Sequence, residues 1–92
     1  MIQILINHPK VNDGKPLEIY TEYTKEQMMI QFGEIFIQQH YQKGRMKKGM
    51  TIIDCGANVG LTSIYFKDWA KIIYAIEPNS KNYTCLLKNV ES

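Results

Sequence analysis

Cysteine is scarce: Cys55 and Cys85 are the only two thiols in the 92 residues, too few for the disulfide framework that holds many small secreted domains together. No apolar run approaches the roughly 20 residues that cross a bilayer. Met1 is followed by only five residues before the polar stretch Asn7-His8-Pro9-Lys10, so no secretory leader is expected. Charge of one sign is also lacking. Eleven basic residues against nine acidic ones leave a net +2, too little to point to nucleic acid. His8 and His40 have no ligand spacing with each other or with the cysteines, so no metal site is expected. There is no internal repeat and no low-complexity tract. These absences leave a cytoplasmic protein with neither a membrane nor a nucleic-acid partner as the expectation. Hydrophobic residues make up 45% of the chain, which is enough for an ordered core, although one this small leaves a thin margin of stability.

Ile2 to Ile6 predicts a strand. Asn12-Asp13-Gly14 is turn chemistry, because these residues tolerate positive φ. Leu17 to Tyr23 alternates, with Leu17, Ile19, Thr21 and Tyr23 on one face, which predicts a half-buried strand and hence a β-hairpin with a long loop. Between Thr24 and Gln42, Met28, Phe32, Ile35 and Phe36 recur at helical spacing, a stripe that belongs to a core. Gly33 interrupts it, and the expected helix runs from about Gly33 to Lys43, ended by Gly44. Lys43, Arg45, Lys47 and Lys48 read as a solvated helix end and the loop after it.

The second half is clearer. Met50 to Cys55 predicts a strand, Gly56 to Gly60 a loop, and Leu61 to Trp69 a helix closed by a Trp69 anchor. Lys71 to Glu77 predicts a second strand, continuous enough in apolar character to be buried on both faces, as in parallel sheets. Asn79 or Ser80 would cap a last helix with Tyr83, Leu86, Leu87 and Val90 on its packed side. The predicted fold class is thus α/β: a partial parallel sheet formed by a βαβα unit over residues 47–92, preceded by a hairpin-and-helix extension over residues 1–46.

The segment that carries chemistry is Asp54-Cys55-Gly56-Ala57-Asn58-Val59-Gly60, which closes one strand and opens a helix. In open α/β sheets, ligands bind beyond the carboxyl ends of the strands. Gly56 permits a tight turn and close backbone approach, and Gly60 lets the helix start pack near the strand. Glu77 ends the next strand about 20 residues on, where a carboxylate accepts hydrogen bonds from ribose hydroxyls. The dinucleotide pattern G-x-G-x-x-G fits in neither register, since Asn58 or Ala57 occupies the middle glycine position. Asp54 would also repel a pyrophosphate, whereas it suits a cationic ligand. Cys55, beside it, reads as a small buried hydrophobe rather than a nucleophile.

Asp54-x-Gly56-x-Asn58-x-Gly60 resembles motif I of class I S-adenosylmethionine-dependent methyltransferases, with Asn58 where many members carry a middle glycine. Ile53 to Thr62, followed by Ala75-Ile76-Glu77-Pro78-Asn79, is similar to the FkbM-type methyltransferases in particular. The resemblance covers about Lys48 to Val90, under half of the Rossmann-like domain that such enzymes build. It implies S-adenosylmethionine as cofactor, with Glu77 on the ribose hydroxyls, Asp54 and the Gly56, Ala57, Asn58 and Gly60 backbone around the methionine part, and Pro78 and Asn79 near the adenine. It also implies O-methylation of a sugar or other small-molecule acceptor. No catalytic residue carries over, and a 92-residue chain alone is expected to be inactive. The alternatives are a non-catalytic nucleotide-binding module, or a truncated piece without activity of its own. Apolar sheet edges with no strand beside them predict self-association.

Overall fold

The computed structural model describes residues 1–38 and 47–91. Strand β1 (Ile2–Ile6) pairs antiparallel with β2 (Leu17–Thr21), setting Ile4 against Ile19 and Ile6 against Leu17. Alternation sends these four side chains and Thr21 to one buried face. The connection turns at Asn12, Asp13 and Gly14, which have φ of 55°, 55° and 77°. The Asn12 side-chain amide donates to the Pro16 carbonyl at 3.1 Å, which closes the loop. The expected hairpin is present, and β2 ends at Thr21, two residues earlier than its pattern suggested.

Helix α1 (Lys25–Phe32) begins well before the expected position. Thr24 and Gln27 form a capping box: the Thr24 hydroxyl accepts from the Gln27 amide at 3.2 Å, and the Gln27 side chain accepts from the Thr24 amide at 2.9 Å. Gly33 does not interrupt the helix. It keeps a right-handed conformation (φ −59°, ψ −44°) and passes into a π-helical turn over Gly33–Ile37. The Met28, Phe32 and Ile35 stripe is buried, as its spacing indicated. The expected end at Lys43 and Gly44, together with His40 and Arg45, lies outside the described residues.

Strand β3 (Met50–Cys55) pairs in parallel with β4 (Ala70–Ile76), and helix α2 (Leu61–Phe66) connects them. Helix α3 (Ser80–Glu91) follows. The fold is therefore mixed α/β, with a small parallel sheet and a separate antiparallel hairpin. Helix α2 is shorter than expected. After it, Trp69 still anchors the turn: its carbonyl accepts from the Gly49 amide at 2.8 Å, and its ring lies 4.9 Å from that of Tyr65.

Three expectations about burial are corrected. Strand β4 is covered on one face only. Ile52 and Asp54 of β3 and Ile73 and Ala75 of β4 lie on the side of α2 and α3, whereas Ile53 is 66% and Tyr74 55% exposed on the other side, beside Ile72 and Ile76. Both helices lie on the same face, so the continuous apolar sequence is not matched by two covering layers. Cys55 points to the open face and is exposed, not buried. On α3 the packed residues are Cys85, Leu86 and Asn89, while Tyr83, Leu87 and Val90 are exposed. The helix turns this row inward because it packs against β2 as well as the glycine loop.

The core joins the two halves. Ile4, Ile6, Leu17 and Ile19 of the hairpin meet Met28, Phe32 and Ile35, together with Val59, Leu61, Tyr65, Phe66 and Cys85. Burial pushes the Cys85 thiol up from its ordinary pKa, and the Glu22 carboxylate adds to the effect. The buried Asn89 side chain, 4% exposed, binds three main-chain groups. Its Oδ1 accepts from the Tyr20 amide at 2.7 Å, and its Nδ2 donates to the Tyr20 carbonyl at 2.8 Å and to the Val59 carbonyl at 2.6 Å. Among the described residues no helix is long and apolar enough to cross a membrane.

Replacing Asn89 with Ala strands these partners in a partly dry setting, and unsatisfied groups of this kind cost roughly 1–3 kcal/mol each before relaxation. Urea denaturation of Asn89→Ala is expected to show a loss of about 2–3 kcal/mol in total. Light scattering on a concentration series should show self-association, because among the described residues each strand has a strand partner on one edge only, and on the other edge of β2 Asn89 covers Tyr20 alone. The assembly should survive high salt and dissolve in mild denaturant.

Candidate functional site

The end of β3 and the end of β4 lie side by side, with Cys55 in register with Ile76. The chain leaving β3 keeps contact with β4 for two more residues: the Gly56 and Ala57 amides both donate to the Ile76 carbonyl, at 2.8 and 3.0 Å. Gly56 has φ 75° and Asn58 φ 57°, so the loop reverses through two left-handed residues. Asn58 tolerates this better than other side-chain-bearing residues do. The Gly60 amide then donates to the Ala57 carbonyl at 3.0 Å, and α2 begins.

Glu77 leaves β4 directly beside this loop. Its Oε1 accepts from the Asn58 amide at 2.7 Å and its Oε2 from the Asn79 amide at 3.0 Å. One carboxylate thus ties the glycine loop to the turn that enters α3. A carboxylate offers about four acceptor positions, so two remain for a ligand. Asn79 acts as the cap of α3, its Oδ1 accepting from the Asn82 amide at 3.0 Å. Pro78 is exposed beside it.

Asp54 is buried beneath the start of α2. Its Oδ2 accepts from the Thr62 hydroxyl at 2.7 Å and from the Ser63 hydroxyl at 3.0 Å. Period-two alternation puts it on the same face as Ile52, toward the helices. Thr62 and Ser63 were not singled out from the sequence. Two hydroxyls at the start of the helix after an Asp-Gly loop are the signal that would have found them.

The two glycines do different work. A Cβ at Gly56 would meet nothing within 4 Å, so space for a close neighbour is open there. A Cβ at Gly60 would lie 2.9 Å from Leu86 Cδ1, and Gly60 has φ 102°. Its close approach is to α3, not to a strand. A cavity of about 190 Å³ lies against the loop, walled by Gly56, Ala57, Asn58, Leu61 and Thr62 on one side and by Gln31, Glu34 and Ile35 on the other. Of the residues expected at the site, Gly56, Ala57 and Asn58 line it. Asp54 and Gly60 support the loop from behind, and Glu77 braces it. Gln31 and Glu34 had no local signal, because only the folded chain brings α1 and the π turn to the loop. A larger cavity of about 420 Å³ lies away from the glycine loop, between the hairpin connection and Trp69. Among the described residues no cluster of His, Cys, Asp and Glu could hold a metal ion. Comparison with known proteins finds no matching family model, no similar curated protein and no matching solved structure.

Gly56→Ala is expected to cost about 1–2 kcal/mol, from its left-handed backbone alone. Gly60→Ala adds overpacking to that strain and should cost about 2–4 kcal/mol. Truncating Leu86 to Ala in the Gly60→Ala background should then cost clearly less than the sum of the two single changes, a coupling that a double-mutant cycle reads directly.

Proposed function

We propose that the loop over residues 54–60 and Glu77 hold S-adenosylmethionine, as the cofactor-binding part of a Rossmann-like class I methyltransferase of the FkbM type. The acceptor would be a hydroxyl on a sugar or other small molecule. The observation that carries this reading is the hydrogen bond from the Asn58 amide to Glu77. It brings the glycine loop and the strand-end acid together at the carboxyl ends of two parallel strands, where such sheets take their ligands. The two acceptor positions left on Glu77 suit the hydroxyls of a ribose.

The same geometry argues against a dinucleotide. A pyrophosphate loop presents free amides to its anion, but here the amides of Gly56, Ala57, Asn58 and Gly60 all donate within the chain. Asp54 and Glu77 add negative charge around the loop. A ligand carrying an ammonium and a sulfonium is favoured where a phosphate is repelled. When bound, the sulfonium supplies a methyl group for in-line displacement. The residues named here would bind and orient the cofactor, and positioning of this kind is a large part of rate acceleration. A non-catalytic nucleotide-binding module is the second reading. In either reading the loop cavity of about 190 Å³, below the roughly 300–1,000 Å³ of most small-molecule sites, takes only part of the ligand.

Calorimetry should show S-adenosylhomocysteine binding and no binding of NAD. Glu77→Gln replaces one acceptor oxygen with an NH₂ group facing a main-chain amide, and charge-assisted bonds of this type are worth about 1.5–3 kcal/mol. At least a tenfold loss of S-adenosylhomocysteine affinity is expected, with the thermal midpoint followed in parallel to register any loosening of the loop. NAD binding more tightly than S-adenosylhomocysteine would overturn the assignment, as would unchanged affinity in Glu77→Gln.

A further inference from the structure

We propose that the open face of the parallel sheet is the interface of a two-fold homodimer, in which the β4 ridge of one copy lies in the β3 trough of the other. Alternation sends Thr51, Ile53 and Cys55 of β3 and Ile72, Tyr74 and Ile76 of β4 to this face. None of the six carries a charge. All six are exposed, the three isoleucines and Tyr74 by 43% to 66%. Helices α2 and α3 both lie on the other side, whereas parallel sheets almost always have both faces covered. With that much of each side chain uncovered, the face offers about 500 Å², at the upper end of the largest patches found on monomers. Two copies face to face remove about 1,000 Å² from solvent, which meets what a specific interface needs.

The strand register gives the face its relief. Ile72 stands beside Thr51, Tyr74 beside Ile53 and Ile76 beside Cys55, so in every row β4 contributes the larger side chain. A two-fold axis along the strands lays each β4 over the β3 of the other copy, large over small, and keeps the strands of both copies running the same way. An axis across the strands would set β4 on β4, large on large, and leave a gap along β3. The first arrangement is self-complementary, as a two-fold interface has to be. Facing sheets stack by interdigitating inner side chains in this manner. Strand edges give a different assembly. Both edges of the parallel sheet are free of a further strand among the described residues, so edge pairing keeps adding copies, whereas one face is used up at two. The dimer does not rest on the cofactor reading.

The test combines light scattering on the full chain with cross-linking by a short bis-maleimide. Cys85 is buried, so the reagent reads Cys55. With the sheets stacked about 10 Å apart and all strands running the same way, the two Cys55 thiols meet at one end of the interface. A cross-linked dimer is therefore expected. Ile53→Lys places an unpaired charge in the interface twice and should weaken the dimer at least about a hundredfold, with loss of the cross-link. Tyr83→Lys, at an exposed position on α3, should leave both readouts unchanged. Because Ile53 is exposed in the single chain, Ile53→Lys should keep the wild-type circular dichroism. A wild-type chain that stays monomeric would overturn the dimer and leave the face to a different partner. Growth in mass without a link from Cys55 to the partner's Cys55 would overturn it in favour of the strand edges. An Ile53→Lys chain that still dimerises and cross-links would overturn it as well. The wild-type cross-link decides the question even where Ile53→Lys fails to fold.

Discussion

The arrangement depends on one buried amide. Asn89 closes both main-chain groups of Tyr20 and the carbonyl of Val59 with a single side chain. In doing so it acts as a short stretch of β-ladder between a strand and a helix. The hairpin and the parallel sheet share no strand pairing, so hydrophobic contact alone would leave their relative position loosely specified. Area burial is non-directional, whereas three main-chain hydrogen bonds to one planar amide fix distance and orientation. Lys88 lies over the Tyr20 ring at 5.1 Å, and Asn82 donates to the Tyr23 hydroxyl at 3.2 Å, which extends the same seam along α3.

From this seam the candidate site follows. Holding Val59 holds the back of the glycine loop, and holding α3 sets Leu86 against Gly60. A Cβ on Gly60 would press on Leu86 Cδ1. The loop is then confined from three sides: by β4 through the Ile76 carbonyl, by Glu77 through the Asn58 amide, and by α3 through Leu86. Its shape is set before any ligand arrives. That is the preorganisation a binding loop needs, since ordering it on binding would reduce affinity.

Much of this was legible in the sequence, for physical reasons that differ between elements. The hairpin and the β3 limits follow from period-two burial and turn residues, which are local properties. The start of α1 is also local, since Thr24 and Gln27 spell a capping box, whereas a glycine such as Gly33 can equally stay right-handed and carry the helix on. Burial of β4 could not be read, because its apolar residues Ile72, Tyr74 and Ile76 would look the same under one covering layer or two. The roles of Asn89 and Glu34 were out of reach for a different reason. An asparagine on an amphipathic helix and a glutamate on a helix rim have no distinguishing neighbours in sequence. The main-chain groups that Asn89 binds, at Tyr20 and Val59, and the cavity wall that Glu34 shares with Asn58 come together only in the tertiary fold.

Three carboxylates surround the loop, and the chain treats them unequally. Asp54 is stabilised by the Thr62 and Ser63 hydroxyls, and Glu77 by two main-chain amides. These donors compensate two charges inside the fold, so neither demands a counter-ion. Glu34 has no such donor among the described residues and stands at the rim of the cavity. The amides of Gly56, Ala57, Asn58 and Gly60 are turned to internal acceptors. The carboxylates of Glu34, Asp54 and Glu77 all add negative charge around the loop, which the first turn of α2, lining the cavity at Leu61 and Thr62, partly opposes. At a partly exposed rim this attraction is modest in strength, so it contributes discrimination more than affinity. On the proposed reading, the carboxylates around the loop favour a cationic cofactor over a phosphate.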